Sequence, residues 1–221
     1  MKMHTTGALL LLMSCAANAV PIAITGYDID HTYVSGTGGW YHDYSGAITP
    51  LSGDLADYSG GSGTLNDGVI GTSHLDTQLF NFPSDSSPTI TLYLDNFYTI
   101  SSLLIYGGNF IDVNSIPGEL SGLDVTINSI KESFVTVAQG QTDGTRYADD
   151  GVSFGGSSLD GLVTNHVVLS GFVSPWGGSN TFSIAEIELD GDLACVPEPS
   201  TLFLLGLGLA GVGLSRKIRI L

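Results

Sequence analysis

Phe182-Ser183-Ile184-Ala185-Glu186-Ile187-Glu188-Leu189-Asp190-Gly191 is the stretch on which the fold turns. Ala185, Ile187 and Leu189 share one face of an extended chain, and Glu186 and Glu188 share the other. That two-residue period marks a half-buried strand. Upstream the same style recurs. Ile90, Leu92 and Leu94 alternate with Thr91 and Tyr93, and Thr99 to Tyr106 is β-branched and apolar. Leu123-Asp124-Val125-Thr126-Ile127-Asn128 alternates cleanly, and Ser133 to Ala138, Leu162 to Leu169 and Thr181 to Leu189 follow. The chain has 30 Gly, and no long 3.6-residue apolar period precedes its C-terminal tail. Six or more short strands joined by Gly- and Asp-rich turns predict an all-β antiparallel sandwich. The stretch from Gly36 to Gly63 lacks periodicity and reads as loop-rich, and Asp149-Asp150 reads as a turn.

The order of motifs adds to this. Leu65-Asn66-Asp67-Gly68 precedes Thr89-Ile90-Thr91-Leu92-Tyr93-Leu94, and Tyr98-Thr99-Ile100-Ser101-Ser102-Leu103-Leu104-Ile105-Tyr106-Gly107 comes next. After Ile116-Pro117-Gly118, the runs at Leu123 and at Phe134-Val135-Thr136-Val137-Ala138 lead to the closing strand. Over residues 64–191 this resembles the discoidin or coagulation-factor C-type family of galactose-binding-like jelly rolls, with the last strand the best match. The family's Trp after the Asp-Gly turn is missing, with Ser73-His74-Leu75 near its place, and Leu94-Asp95-Asn96 stands where the family has Leu-Gly.

The resemblance implies a calcium ion between the Asp-Gly turn and the Glu of the final strand. Carried onto this chain, the ligands are Asp67 and Glu186, with the Thr72 region as a further oxygen donor. Calcium takes about six to eight oxygens, many of them turn carbonyls. Glu186 is otherwise a solvated or capping carboxylate. For sugars, aromatic faces pack on the C–H faces of the rings, and polar groups take the hydroxyls. Trp40, Tyr41, His42 and Tyr44, with Asp43 beside them, are suitable by type. So is Trp176 in Ser174-Pro175-Trp176-Gly177-Gly178. The alternative is that these rings cap the ends of the sandwich core.

Both ends of the chain read as handling signals. Met1 to Thr6 carries one Lys and no acid, Gly7 to Met13 is apolar, and Ala17-Asn18-Ala19 offers small residues for cleavage. This is the layout of a signal peptide over residues 1–19, with the domain at 20–192. Leu12-Met13-Ser14-Cys15 is a rival lipoprotein box, poorly fitted by Met13. At the other end come a linker at 193–200 containing Val196-Pro197-Glu198-Pro199-Ser200, a hydrophobic segment at 201–215, and a basic tail at 216–221 with Arg216, Lys217 and Arg219. The prolines favour extended backbone, and the apolar run is shorter than the ~20 residues of a comfortable membrane span. Together these parts resemble a PEP-CTERM sorting signal. That implies a protein of a Gram-negative-type bacterium, cut by signal peptidase, held transiently in the inner membrane, and processed by an exosortase. Its destination is then the cell surface or an extracellular polysaccharide matrix. An ordinary C-terminal anchor is the alternative, and both put the domain outside the cytoplasm.

Of six basic residues only Lys131 and Arg146 lie in residues 20–200, against all 22 Asp and Glu, which leaves −20. Such a surface repels nucleic acid and anionic lipid and attracts divalent cations. Cys195 is the one cysteine after residue 19, so the mature chain has no internal disulfide. Gly60-Gly61-Ser62-Gly63 and Gly155-Gly156-Ser157-Ser158 lack the strand–helix context of a phosphate loop or nucleophile elbow. The histidines are scattered, so no enzyme is expected and no cofactor beyond calcium. The chain reads as an exported, non-catalytic glycan-binding sandwich. An exported structural or adhesive protein without sugar binding is the alternative.

Overall fold

The computed structural model describes residues 19–70, 74–81, 87–108, 120–138, 147–174 and 181–194. Thr72, Trp176, Cys195, both export segments and the sorting residues of the tail lie outside them. The chain opens with β1 (Val20–Pro21), β2 (Ile24–Tyr33), β3 (Ala47–Pro50), β4 (Leu55–Gly61) and β5 (Gln78–Asn81). Next come β6 (Thr89–Gly108), β7 (Gly122–Ile127), β8 (Ile130–Val135) and β9 (Val137–Ala138). β10 (Tyr147–Ser153), β11 (Val163–Val173) and β12 (Thr181–Leu193) complete it. All the ladders are antiparallel, and short 3-10 turns lie at Thr37–Gly39 and His74–Asp76.

The expected all-β antiparallel sandwich is what forms, but its strands are not all short. The runs around Ile90 and Ile105, read separately in the sequence, are one 20-residue strand, β6. Residues 89–94 of β6 lie between β2 and β11, while residues 98–107 run along β12 and 102–108 along β10. By changing partners halfway, one strand serves both layers and turns the corner between them. Hydrogen bonds pin the corner: Tyr98 donates its hydroxyl to Asp95 Oδ1 at 2.8 Å, and the Phe97 N–H donates to Asn96 Oδ1 at 2.8 Å.

The inward positions of β6 are Ile90, Leu92, Leu94, Tyr98 and Ile100, then Leu103 and Ile105. Parity changes at Ser101 because β12 slips there: Asp190 faces Ser102, and Gly191 faces Ile100. Such a bulge re-aims every side chain beyond it. Gly191 is required at this point, since a Cβ would collide with the Thr99 carbonyl oxygen. The layers meet in one core. Phe172 of β11 lies 4.8 Å from Phe182 of β12, and Phe182 stacks on Phe80 of β5 at 4.7 Å with 4° between planes. Each fully buried ring of this kind stabilises by roughly 2–3 kcal/mol.

Two local expectations are corrected. The stretch 36–63, read as loop-rich, holds β3, β4 and a 3-10 turn. Its period was hidden because β4 fills its core-facing positions with Ala56 and Tyr58 rather than large aliphatics. Asp149 and Asp150, read as a turn, are in β10, where they pair with Tyr106 and Ile105 of β6.

Candidate functional site

The Asp-Gly turn and the closing strand come together as the resemblance implied. The Ile187 N–H donates to the Leu65 carbonyl at 3.0 Å, and the Gly68 N–H donates to Glu186 Oε2 at 3.0 Å. The turn thus covers the outer face of β12, and Glu186 is 3% exposed instead of facing water. A register shift between Ile184 and Glu186 contributes, letting Ala185 pack with Trp40 and Leu79 while Ile187 enters the main core. Burial pushes the Glu186 carboxyl up to about 7; the Gly68 amide opposes this, and the neighbouring Asp67 adds to it. Asp67 Oδ1 accepts from the Val69 N–H at 2.8 Å.

One carboxylate on a glycine-containing turn and one on the strand beneath it are oxygen donors of the kind calcium takes, and a divalent cation would relieve the cost of holding Glu186 ionised. Asn66 is committed elsewhere: its Oδ1 accepts from the Gly63 N–H and its Nδ2 donates to the Ile24 carbonyl. Among the described residues no group of three or more His, Cys, Asp or Glu converges as a metal cluster. Asp67 and Glu186 are the two carboxylates that would hold the ion, and its remaining ligands would have to be carbonyl oxygens or water.

The aromatic segment 40–44 is mostly packed inward, which departs from the exposure a loop position suggests. Trp40 is 8% exposed, packed with Leu79 and Ala185 and edge-on to His74 at 6.1 Å. His42 is buried, its Nε2 sharing a 2.8 Å hydrogen bond with the Tyr58 hydroxyl, and burial lowers its pKa to about 4. Tyr44 is half-buried between Tyr27 and Tyr58; it donates to the Tyr27 carbonyl at 2.7 Å and accepts from the Gly61 N–H at 2.9 Å. Tyr41 differs at 50% exposed. Its N–H donates to the His74 carbonyl and its carbonyl accepts from the Thr77 N–H, both at 3.0 Å. That holds it against the 3-10 turn carrying exposed Leu75.

A second feature was missed in the sequence. On the outer face of β2, β4 and β6 lies a polar cleft of about 310 Å³, whose wall includes Tyr93. The signal was present: Tyr93 occupies an outward position of an alternating run. Nothing local to it announced that residues 45 and 60–62 would be folded alongside.

Residues 196–217 match the PEP-CTERM protein-sorting motif. That motif marks the chain for export by an exosortase to the cell envelope or surface. No curated protein matches the chain. Among solved structures it is similar to the family 32 carbohydrate-binding module from C. perfringens NanJ in complex with galactose, at 13% identity and a TM-score of 0.42, covering 78% of this chain and 99% of that one. It is also similar to the lectin domain of lectinolysin complexed with Lewis B antigen, at 18% identity and a TM-score of 0.37, covering 57% and 80%. A GH31 CBM32-2 module bound to GalNAc is similar at 14% identity and a TM-score of 0.37, covering 67% and 95%. Among the described residues no helix is long and apolar enough to cross a membrane.

Proposed function

We propose that the mature domain is a non-catalytic glycan-binding sandwich, delivered to the cell surface or an extracellular polysaccharide matrix. The observation that carries this reading is Tyr41, an exposed ring on a backbone anchored by two hydrogen bonds to the turn that carries exposed Leu75. An exposed aromatic face can cover the C–H side of a sugar ring, and an anchored backbone lowers the entropic cost of presenting it. Calcium, bound by Asp67 and Glu186, stiffens the turn that covers β12. The precursor belongs to a Gram-negative-type cell, is cut by signal peptidase, and is held in the inner membrane by residues 201–215 until exosortase releases it.

A glycan array with the protein, compared with Tyr41→Ala, tests the binding. Spots lost in the variant support it, and a blank array together with no released reducing sugar favours the second reading. That reading, a structural or adhesive protein, draws on β8, which among the described residues ladders only with β7 and carries Val135 at 81% exposure. Fractionating cells with and without the exosortase tests the export route, since retention of the precursor in the inner membrane is expected only without it.

A further inference from the structure

The cleft on the outer face is built from parts that suit a sugar ring. Its floor is backbone: Gly26 of β2 and Gly60 and Gly61 of β4 line it without side chains. Gly26 is the cross-strand neighbour of Tyr93. It has to be glycine because a Cβ would meet the Gly61 carbonyl oxygen at 2.7 Å, and it puts no side chain beside the Tyr93 ring. Gly60 adopts φ +69° with open space where a Cβ would stand. The rim carries hydroxyls from Thr25, Ser45 and Ser62.

The wall is Tyr93, 40% exposed, and its posture is fixed from both ends. Its hydroxyl donates to Asp28 Oδ2 at 2.7 Å, and the Thr25 hydroxyl donates to its carbonyl at 3.1 Å. Asp28 is itself fixed, its Oδ1 accepting from the Gly60 N–H at 2.7 Å. The Asp28 hydrogen bond pushes the Tyr93 phenol up to about 12, so it stays a neutral donor. A rigid aromatic face, a bare peptide floor and a hydroxyl rim match the alternating C–H and O–H faces of a pyranose. The volume is at the small end of ligand sites, enough for a single ring. Charge narrows the class. Among the described residues no Lys, Arg or His lines the cleft, Asp28 is hydrogen-bonded to its wall, and the domain is strongly acidic. A uronate or sulfated sugar would bring a second negative charge to a site with nothing to pair it.

We infer that this cleft is a saccharide subsite for one uncharged pyranose ring, stacked on Tyr93 and separate from the Tyr41 turn. It shares with the proposed function only the class of ligand. Two such places on one domain would let it hold a polysaccharide at two points, which raises avidity without new contacts.

The test is NMR on the isotope-labelled full-length chain in detergent. Galactose, glucose, mannose, N-acetylglucosamine, rhamnose and galacturonate are each added to millimolar concentration. At least one neutral sugar should move the Gly26, Gly60 and Gly61 amides and the Tyr93 ring signals, and galacturonate should not. Tyr93→Ala should weaken binding about tenfold, within the range of a lost aromatic contact. Tyr93→Phe keeps the ring and should retain most of it, which guards against an alanine variant that fails to fold. If no neutral sugar moves those signals, or galacturonate moves them equally, the subsite does not exist. Shifts confined to Tyr41 and Leu75 would uphold sugar binding at that turn and overturn this subsite, whereas shifts confined to the cleft would uphold the subsite and overturn Tyr41 as the contact.

Discussion

The Gly68 N–H donates to Glu186 Oε2 at 3.0 Å, joining residues 118 positions apart and closing the Asp-Gly turn over the last long strand. The bond places a carboxylate, 3% exposed, beside Asp67 and leaves the pair to be compensated by protons or by a cation.

Without calcium, protonation compensates. The folded Glu186 titrates near 7, against 4.5 for an ordinary Glu. Between those values the folded state holds a proton that the unfolded chain has lost, so stability falls as pH rises from about 4.5 to about 7 and levels off above. Thermal melts in a chelator should show that decline, and Glu186→Gln should flatten it. A wild-type melting temperature that is constant across this range would refute the assignment.

Calcium should reverse the loss. At pH 7.5 added calcium is expected to raise the melting temperature, with the size of the rise growing with free calcium. Glu186→Ala should remove the rise, while Glu188→Ala, on an exposed carboxylate, should keep it. Absence of any rise in the wild type ends the calcium reading.

His42 makes an opposite demand on the acid side. Its imidazole stays neutral to about pH 4, whereas an unfolded His titrates near 6.5. As pH falls through that interval the unfolded chain takes up a proton that the folded one refuses, and stability drops. Imidazole chemical shifts read directly by NMR should give a midpoint for His42 near 4. Tyr58→Phe, which removes the hydrogen-bond partner at 2.8 Å, should cost about 1–3 kcal/mol in urea denaturation.

Phe182 contacts Phe80 and Phe172 together, from the two layers. Phe182→Ala should cost about 3–5 kcal/mol, read as a lower urea midpoint at unchanged slope. Phe97→Ala, at an exposed corner position of β6, should change stability by less than about 0.5 kcal/mol. Similar losses at the two sites would mean that the aromatic cluster does not carry the core.

Glycine at 63 should also resist change, at a smaller cost. A Cβ there would strike the Asp43 carbonyl, where Tyr44 bridges to Gly63. Gly63→Ala is expected to cost about 1–3 kcal/mol and to loosen Tyr44, visible as altered tyrosine near-ultraviolet dichroism. Unchanged stability and dichroism would mean that the two segments need not approach so closely.

The strands built on Ile, Leu and Val announced themselves, because a two-residue period of large aliphatics is hard to mistake. β4 did not, since Ala56 and Tyr58 fill its core side and Gly60 and Gly61 end it. The continuity of β6 was equally hidden: Asp95 and Asn96 look like a turn, yet their side chains accept hydrogen bonds that bend the strand without ending it. Asp67 and Glu186 were legible through motif order, but Glu186's burial was not, because it depends on a turn 118 residues away. Among the aromatics, type alone could not separate Tyr41 from Trp40. What divides them is whether Leu79 and Ala185 arrive underneath.

β12 is the strand from which the chain leaves toward the sorting motif at residues 196–217, and its ladder with β6 runs from Ile184 to Leu193. A pull along the axis of β12 therefore acts on a strand bonded over its whole length. Its load is shared in shear by a row of hydrogen bonds instead of peeling them one at a time.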